Sequence, residues 1–424
     1  MSSGQGAITR QKEIYIRGAA GKSSLIPFDY GSLEEKARKK MGRRGFDYVK
    51  TGAGREMTTD HNRSALDKVQ IVPKMLRDVS SRSTEIDLLG SRIPAPFLLA
   101  PIGVLDLARK RGDLLSARAA NQAEIPMIFS NQASAPMETC AAVMPKAPKW
   151  MQLYWSKSND LVKSLIERAE NSGCEALVIT LDTTLLGWRL RDLNNAYLPF
   201  LEGRGIAQYT SDPVFNELLN SFKEEGQKPE IGLRTPITLY QLAKNYPGST
   251  MRNLFSSRPL RSVRLFTAIY SQTALTWEHI QQALEWTDLP VILKGILDSE
   301  DALRAKSIGV KGLIVSNHGG RQVDGAVSSL NALRNIRQAC GRDFLILMDS
   351  GIRGGQDAFK AIASGADAVC IGRPYAYALA LAGQRGVEEL LKNYQAELEL
   401  TMALSGCRNI NEVKSASVIS KSNV

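Results

Sequence analysis

The chain has 424 residues, 43% hydrophobic and 23% charged, proportions of a globular protein able to bury a sizeable core in one large domain with extensions. A formal charge of +11 raises nucleic acid as a partner, but the Lys and Arg are dispersed and no nucleic-acid motif accompanies them. Anionic small molecules are the expected partners instead. Cys140, Cys174, Cys340, Cys370 and Cys407 form no CxxC pair and read as reduced, buried thiols of an intracellular protein, neither a disulfide framework nor a zinc site. Residues 1–21 are polar, no later run is long and apolar enough to span a bilayer, and the last four residues, Lys421-Ser422-Asn423-Val424, are no peroxisomal Ser-Lys-Leu tail. A cytoplasmic protein without membrane contact or metal is therefore expected.

In chain order, residues 1–30 mix Gly, Ser and charge with weak periodicity and are expected to form a partly ordered arm. A charged helix is predicted over 33–40, a break at Gly42-Arg43-Arg44-Gly45, and a second short helix through Phe46, Tyr48 and Val49 that Thr51-Gly52-Ala53-Gly54 ends. This N-terminal helical extension occupies residues 1–95.

From Pro96 the sequence repeats a short apolar run, a polar or Gly-containing turn and a longer helical stretch. The runs are 97–100, 126–130, 150–154, 176–180, 290–294, 312–316, 344–348 and 368–372, separated by amphipathic segments such as 160–172, 299–308 and 357–364. Eight units of roughly 25 to 30 residues predict an α/β fold, a (β/α)8 TIM barrel over 96–382. The competing doubly wound sheet lacks a GxGxxG at its first turn. One connection breaks the spacing. Residues 181–289 follow the fourth run, with an insertion at about 190–275, and connections of that length are usually lids or gates. A final amphipathic helix over 387–404 is expected outside the barrel, within a C-terminal segment 383–424.

Active-site residues of such barrels sit at the C-terminal strand ends. Ser130, Gln152, Tyr154, Thr180, Asp182, Lys294, Ser316, His318, Arg321, Asp349, Arg353, Gly372 and Arg373 gather there. In Ser316-Asn317-His318-Gly319-Gly320-Arg321-Gln322, an imidazole lies beside a guanidinium, a proton acceptor next to a carboxylate clamp, and the paired glycines are read as allowing close approach of a ligand. The alternative is a Gly-Gly turn whose His and Arg satisfy loop carbonyls. Asp349-Ser350-Gly351-Ile352-Arg353-Gly354-Gly355 and Gly372-Arg373-Pro374 offer backbone N–H groups and two guanidiniums to an anion after the seventh and eighth strands, unless they are ordinary Gly-rich turns. A phosphate site with Lys294 facing inward suggests FMN, whose reduced ring a cation stabilises.

The stretch 316–322, with Lys294-Gly295, Asp349-Ser350-Gly351-Ile352-Arg353 and Ile371-Gly372-Arg373-Pro374, resembles the FMN-dependent 2-hydroxy-acid oxidase and dehydrogenase family from about Phe46 to Arg408. Leu177 to Thr183, Gly187-Trp188-Arg189, Arg191-Asp192-Leu193, Pro199-Phe200-Leu201 and Asp212-Pro213-Val214-Phe215 are similar to its lactate 2-monooxygenase branch. The resemblance implies that His318 is the base and Asp182 its partner, and that Tyr48, Tyr154, Arg189 and Arg321 bind the substrate carboxylate. It implies that Ser130, Gln152, Thr180, Lys294 and Ser316 contact the flavin ring, and that Asp349, Gly351, Arg353, Gly372 and Arg373 hold ribityl and phosphate. The implied reaction oxidises an (S)-2-hydroxy acid, lactate or a related acid, with O2, followed by decarboxylation of the 2-oxo acid. A peroxide-releasing oxidase, a dehydrogenase with another acceptor and a non-catalytic flavin-binding protein are the alternatives. A homotetramer is also implied. Gln132 and Thr184 depart from the family pattern and, with Gly103, leave room for a larger or more polar acid. The basic stretch 226–259 is longer than the family's usual fourth loop.

Overall fold

The computed structural model describes residues 6–223 and 231–420. Eight parallel strands close into a barrel: β1 (Phe97–Leu99), β2 (Met127–Phe129), β3 (Lys149–Leu153), β4 (Ala176–Thr180), β5 (Val291–Ile296), β6 (Gly312–Val315), β7 (Leu345–Met348) and β8 (Ala368–Ile371). Each falls on one of the eight predicted runs. The runs lack polar alternation because both faces are covered, one by the helices and one by the barrel interior.

Side chains alternate across a strand. Leu98, Ile128, Trp150, Val178, Ile292, Ile314, Leu347 and Cys370 pack together inside the barrel, joined by Leu88 and Ile93. The latter two come from the antiparallel hairpin Ile86–Leu88 with Ser91–Ile93, which plugs the end where the strands begin. Two residues further along, the same inward direction carries Ser130, Gln152, Thr180, Lys294, Ser316, Asp349 and Gly372 on seven of the strands and Ala100 on β1. Period two therefore converts an apolar layer into a polar one at the opposite mouth.

Before the barrel come α1 (Gly6–Ala19), α2 (Tyr30–Met41), α3 (Arg43–Lys50) and α4 (Met57–Asp67). The α1 helix corrects the expectation of a partly ordered arm. It buries only Ala7, so it has no apolar stripe to read, and its anchors come from the far end of the chain. The Ala7 amide donates to Glu399 Oε2 at 3.0 Å, while Arg10 pairs with Glu389 and donates to Asn393 Oδ1 at 2.9 Å. The expected break at 42–45 narrows to Gly42, whose φ of 71° ends α2; Arg43, Arg44 and Gly45 are already helical. The last long helix, Gln384–Leu404, starts three residues earlier than its periodicity suggests and packs outside the barrel.

Between β4 and β5 the described residues form helices including Leu190–Asn194, Pro213–Ser221, Thr235–Asn245, Arg258–Ile269 and Trp277–Trp286. Fully buried Asp212 docks them: it caps Pro213–Ser221 through the Phe215 amide at 3.1 Å and accepts from Ser164 and Arg168, both at 2.9 Å, on helix Asn159–Asn171. Phe200, Tyr209, Phe215, Phe266 and Tyr270 then form a ring cluster with centroids 4.8–5.7 Å apart. The start of the basic stretch 226–259, up to residue 230, lies outside the described residues. Among the described residues no helix is long and apolar enough to cross a membrane, and all five cysteines are free and buried.

One close helix contact in the outer layer is at Gly355, where an added methyl carbon would lie 2.2 Å from the Leu398 amide nitrogen and 2.5 Å from the Tyr394 carbonyl oxygen. Gly355→Ala must separate helix Gly355–Ala363 from Gln384–Leu404. A loss of about 1–3 kcal/mol in urea unfolding is expected; an unchanged midpoint would show that the two helices are not held at this spacing.

Candidate active site

The polar mouth opens into a cleft with an empty volume of about 1190 Å³ that runs out to solvent. Its wall includes Tyr48, Tyr154, Arg189, Lys294, His318, Arg321, Asp349, Gly351, Arg353, Gly372 and Arg373. Ser130, Gln152, Thr180, Ser316 and Asp182, also expected to be site residues, do not line it. They lie one layer below. Ser130 donates to Gln152 Oε1 at 3.2 Å, and Gln152 donates to Thr180 Oγ1 at 3.0 Å. Ser316 receives the Lys294 ammonium at 2.7 Å, and Asp182 receives His318. These side chains form the polar layer at the strand ends beneath the cleft wall, and Asp182 stands behind His318 as expected.

His318 Nδ1 lies 2.7 Å from Asp182 Oδ1 and 3.2 Å from Thr183 Oγ1, which itself donates to Asp182 Oδ1 at 3.0 Å. Bonding at Nδ1 leaves Nε2 without a partner among the described residues, on a residue that faces the cleft. The His318 backbone is left-handed, φ 58°, and is held there by its amide on Ser316 Oγ at 3.0 Å and by the Gly320 amide on Asn317 Oδ1 at 3.1 Å. Asn317 is locked to α4 by reciprocal amide bonds with Asn62 at 2.7 and 2.8 Å. Gly320 serves this docking, not ligand approach, since a methyl on it would lie 2.5 Å from Thr59 Oγ1.

Burial pushes the His318 imidazole below its ordinary value, and the Asp182 carboxylate opposes that shift. Burial alone would raise Asp182, yet the His318 and Lys294 charges hold it below the usual carboxylate range. The ion pair of Lys294 with Asp349 Oδ2 at 2.9 Å acts likewise: burial disfavours the ammonium, but Asp349 and Asp182 raise its pKa. A permanent cation thus lies at the cleft floor.

The guanidiniums are differently placed. Arg321 donates to the Tyr48 and Thr51 carbonyls at 2.7 and 3.0 Å and lies 5.2 Å from the Tyr48 ring centre. Arg189 donates to the Arg321 carbonyl at 3.1 Å and to Gln322 Oε1 at 2.9 Å. Arg373 holds the Val49, Thr51 and Gly319 carbonyls at 3.0–3.1 Å, and Arg353 lies 4.1 Å from the Tyr30 ring centre. None of the four pairs with a carboxylate among the described residues. Burial, reinforced by Arg189 and Arg373, pushes Arg321 down to about 9, the signature of a cation waiting for an anion.

Tyr30, Ile102, Thr183, Leu186 and Ser350 also line the cleft and had no assigned role in the sequence. Thr183, not Thr184, faces it; the Thr184 carbonyl instead accepts from Ser271 at 2.8 Å. Gly103 and Gln132 both reach the cleft.

A barrel mouth with a buried cation on its floor and unpaired guanidiniums beside the β7 and β8 loops defines a site for an anionic, phosphorylated cofactor and an acidic substrate. Around Gly372 nothing lies within 4 Å of a would-be Cβ, so the β8 loop leaves open space beside Arg353 and Arg373. These donors fit FMN. A family model described as FMN-dependent dehydrogenase matches residues 37–420. The chain is 39% identical to L-lactate oxidase of Lysinibacillus sphaericus over 93% of both chains. It is 36% identical to 4-hydroxymandelate oxidase of Amycolatopsis orientalis, over 90% of this chain and 95% of that one. The structure of mandelate oxidase with (S)-4-hydroxymandelic acid superposes with a TM-score of 0.77 at 34% identity, over 94% of this chain and all of the other. The chain belongs to the FMN-dependent dehydrogenase family, and FMN is its cofactor.

Gly295, with φ 108°, passes so close behind the site that an added methyl would lie 2.9 Å from Asp182 Cβ and Cγ. Gly295→Ala is expected to displace Asp182 from His318 and to lower kcat/KM by about 10²-fold with FMN content retained; an unchanged value would mean that this contact does not set the geometry.

Proposed function

We propose that the chain oxidises an (S)-2-hydroxy acid to the 2-oxo acid with O2 as the final oxidant. The observation that carries this reading is the pairing of His318 Nδ1 with Asp182 at 2.7 Å, which leaves Nε2 free in a cleft flanked by the carboxylate-free guanidiniums of Arg189 and Arg321. The chain is an FMN-dependent α-hydroxy-acid oxidoreductase. Arg321 and Arg189, with the Tyr48 and Tyr154 hydroxyls, bind the substrate carboxylate. The Tyr154 hydroxyl stays protonated, since burial, reinforced by Asp182, raises its pKa to about 12, and so it can donate. His318 Nε2 takes the proton of the substrate hydroxyl, and Asp182 stabilises the imidazolium.

Bound FMN supplies the two-electron acceptor for the α-carbon. Lys294, at the cleft floor, would stabilise added negative charge on the ring, and Ser130, Gln152, Thr180 and Ser316, on the neighbouring strand ends, would contact it. Asp349, Gly351, Arg353, Gly372 and Arg373 hold the ribityl and phosphate end. Decarboxylation of the product, as in a lactate 2-monooxygenase, needs the 2-oxo acid and peroxide to stay enclosed together. Leu186 and Arg189, from the start of the β4–β5 connection, line the cleft and support such a cover. The oxidase outcome, favoured by the likeness to L-lactate oxidase, releases peroxide with the 2-oxo acid intact. Quantifying CO2 and peroxide after O2 is added to substrate-reduced enzyme separates the two: CO2 without peroxide supports enclosure, and stoichiometric peroxide refutes it.

Because the base must be neutral, activity is lost as pH falls through a His318 pKa that burial holds below its ordinary value. kcat/KM should therefore rise with pH through a midpoint below that of an ordinary imidazole and then level off. His318→Ala should slow anaerobic flavin reduction by about 10²–10⁴-fold while retaining FMN. Near-normal reduction by this variant would remove His318 from its role.

A further inference from the structure

We infer that the substrate's side chain carries an uncharged oxygen, a hydroxyl or carbonyl, which Gln132 recognises; the inference rests on the 2-hydroxy-acid reading above. Gln132 lines the cleft but is 7% exposed, and its Nε2 is buried without a hydrogen-bond partner. The backbone around it is fixed. Its amide donates to Ser130 Oγ at 3.1 Å, and its carbonyl accepts from the Val104 amide at 2.9 Å. The insertion presses on the same loop, the Ala207 amide donating to the Ala133 carbonyl at 3.1 Å. The terminal amide turns about a torsion that is broad in energy, so its N–H2 can be presented to a ligand at little cost.

Gly103 keeps that end of the cleft open. A methyl there would lie 3.2 Å from Gln132 Cβ and 3.6 Å from its Oε1, crowding the side chain that reads the substrate. The same cleft is lined by the apolar side chains of Ile102 and Leu186. A hydrocarbon side chain bound here leaves the Gln132 donor unpaired, and an unpaired buried donor is strongly disfavoured. A second carboxylate would bring a charge that Gln132, a neutral amide, cannot offset. An uncharged oxygen satisfies both conditions. Sites built around such a donor reject analogues that lack the oxygen more firmly than apolar pockets reject extra groups.

The test uses FMN-loaded enzyme, anaerobic stopped-flow flavin reduction and a matched pair of acids, (S)-2,4-dihydroxybutyrate and (S)-2-hydroxypentanoate, of equal chain length in heavy atoms. The wild type should reduce with the hydroxylated acid at least about tenfold more efficiently. Gln132→Leu should collapse or invert that ratio, with FMN content and melting temperature checked in parallel. Gln132→Met gives the same comparison if the leucine variant misfolds. Equal efficiency for both acids in the wild type, or an unchanged ratio in a folded variant, overturns the assignment to Gln132. Failure of every 2-hydroxy acid to reduce the flavin overturns the oxidation reading itself, and the inference with it.

Discussion

The site depends on four guanidiniums that form no ion pair with a carboxylate among the described residues. Arg189, Arg321, Arg353 and Arg373 converge on one barrel mouth and are held by carbonyls, an amide oxygen and an aromatic face. Carbonyl contacts orient a guanidinium without cancelling its charge, so the electrostatic demand stays directed at the cleft. Elsewhere the chain pairs its buried arginines: Arg82 meets Glu399 at 3.0 Å and Arg168 meets Asp212 at 2.9 Å. The contrast separates arginines tied into ion pairs from arginines left facing the cleft.

The barrel makes this arrangement tolerable. Its period-two alternation sets a polar layer directly above an apolar one, so the charged groups of the floor rest on a packed interior and need no water beneath them. Within that layer the charges are divided. Lys294 is neutralised by Asp349 and remains an ammonium, whereas His318 is shielded by a single carboxylate and remains neutral until it receives a proton. A fixed cation and a titrating base are the two elements an oxidation at a hydroxyl-bearing carbon requires, and the same strand ends supply both.

The eight strands were legible because each is a short apolar run buried on both faces. The polar residues at the strand ends were legible because they interrupt that pattern at a fixed offset. Which of them reach the cleft was not. Thr180 and Lys294 occupy the same register on paired strands, yet only the long lysine reaches the cleft surface, while Thr180 ends beneath Gln152. Thr183 and Thr184 differ by one residue in a loop with no periodicity to orient them. The α1 helix was missed because its one buried residue leaves no stripe, and its stability comes from acids nearly four hundred residues away. Tyr30 belongs to the cleft only because α2 folds back across the β8 loop, a tertiary contact without a local signal.

The central claim is that the unpaired guanidiniums read the substrate's carboxylate. It is tested most directly by titrating FMN-loaded protein with oxalate, a planar mimic of the 2-oxo acid, and following the change in flavin absorbance for wild type and Arg321→Met. Binding by the wild type should be saturable and should weaken by about 10²-fold or more in the variant, the loss expected when one partner of a buried charge pair is removed. An unchanged Kd would contradict it.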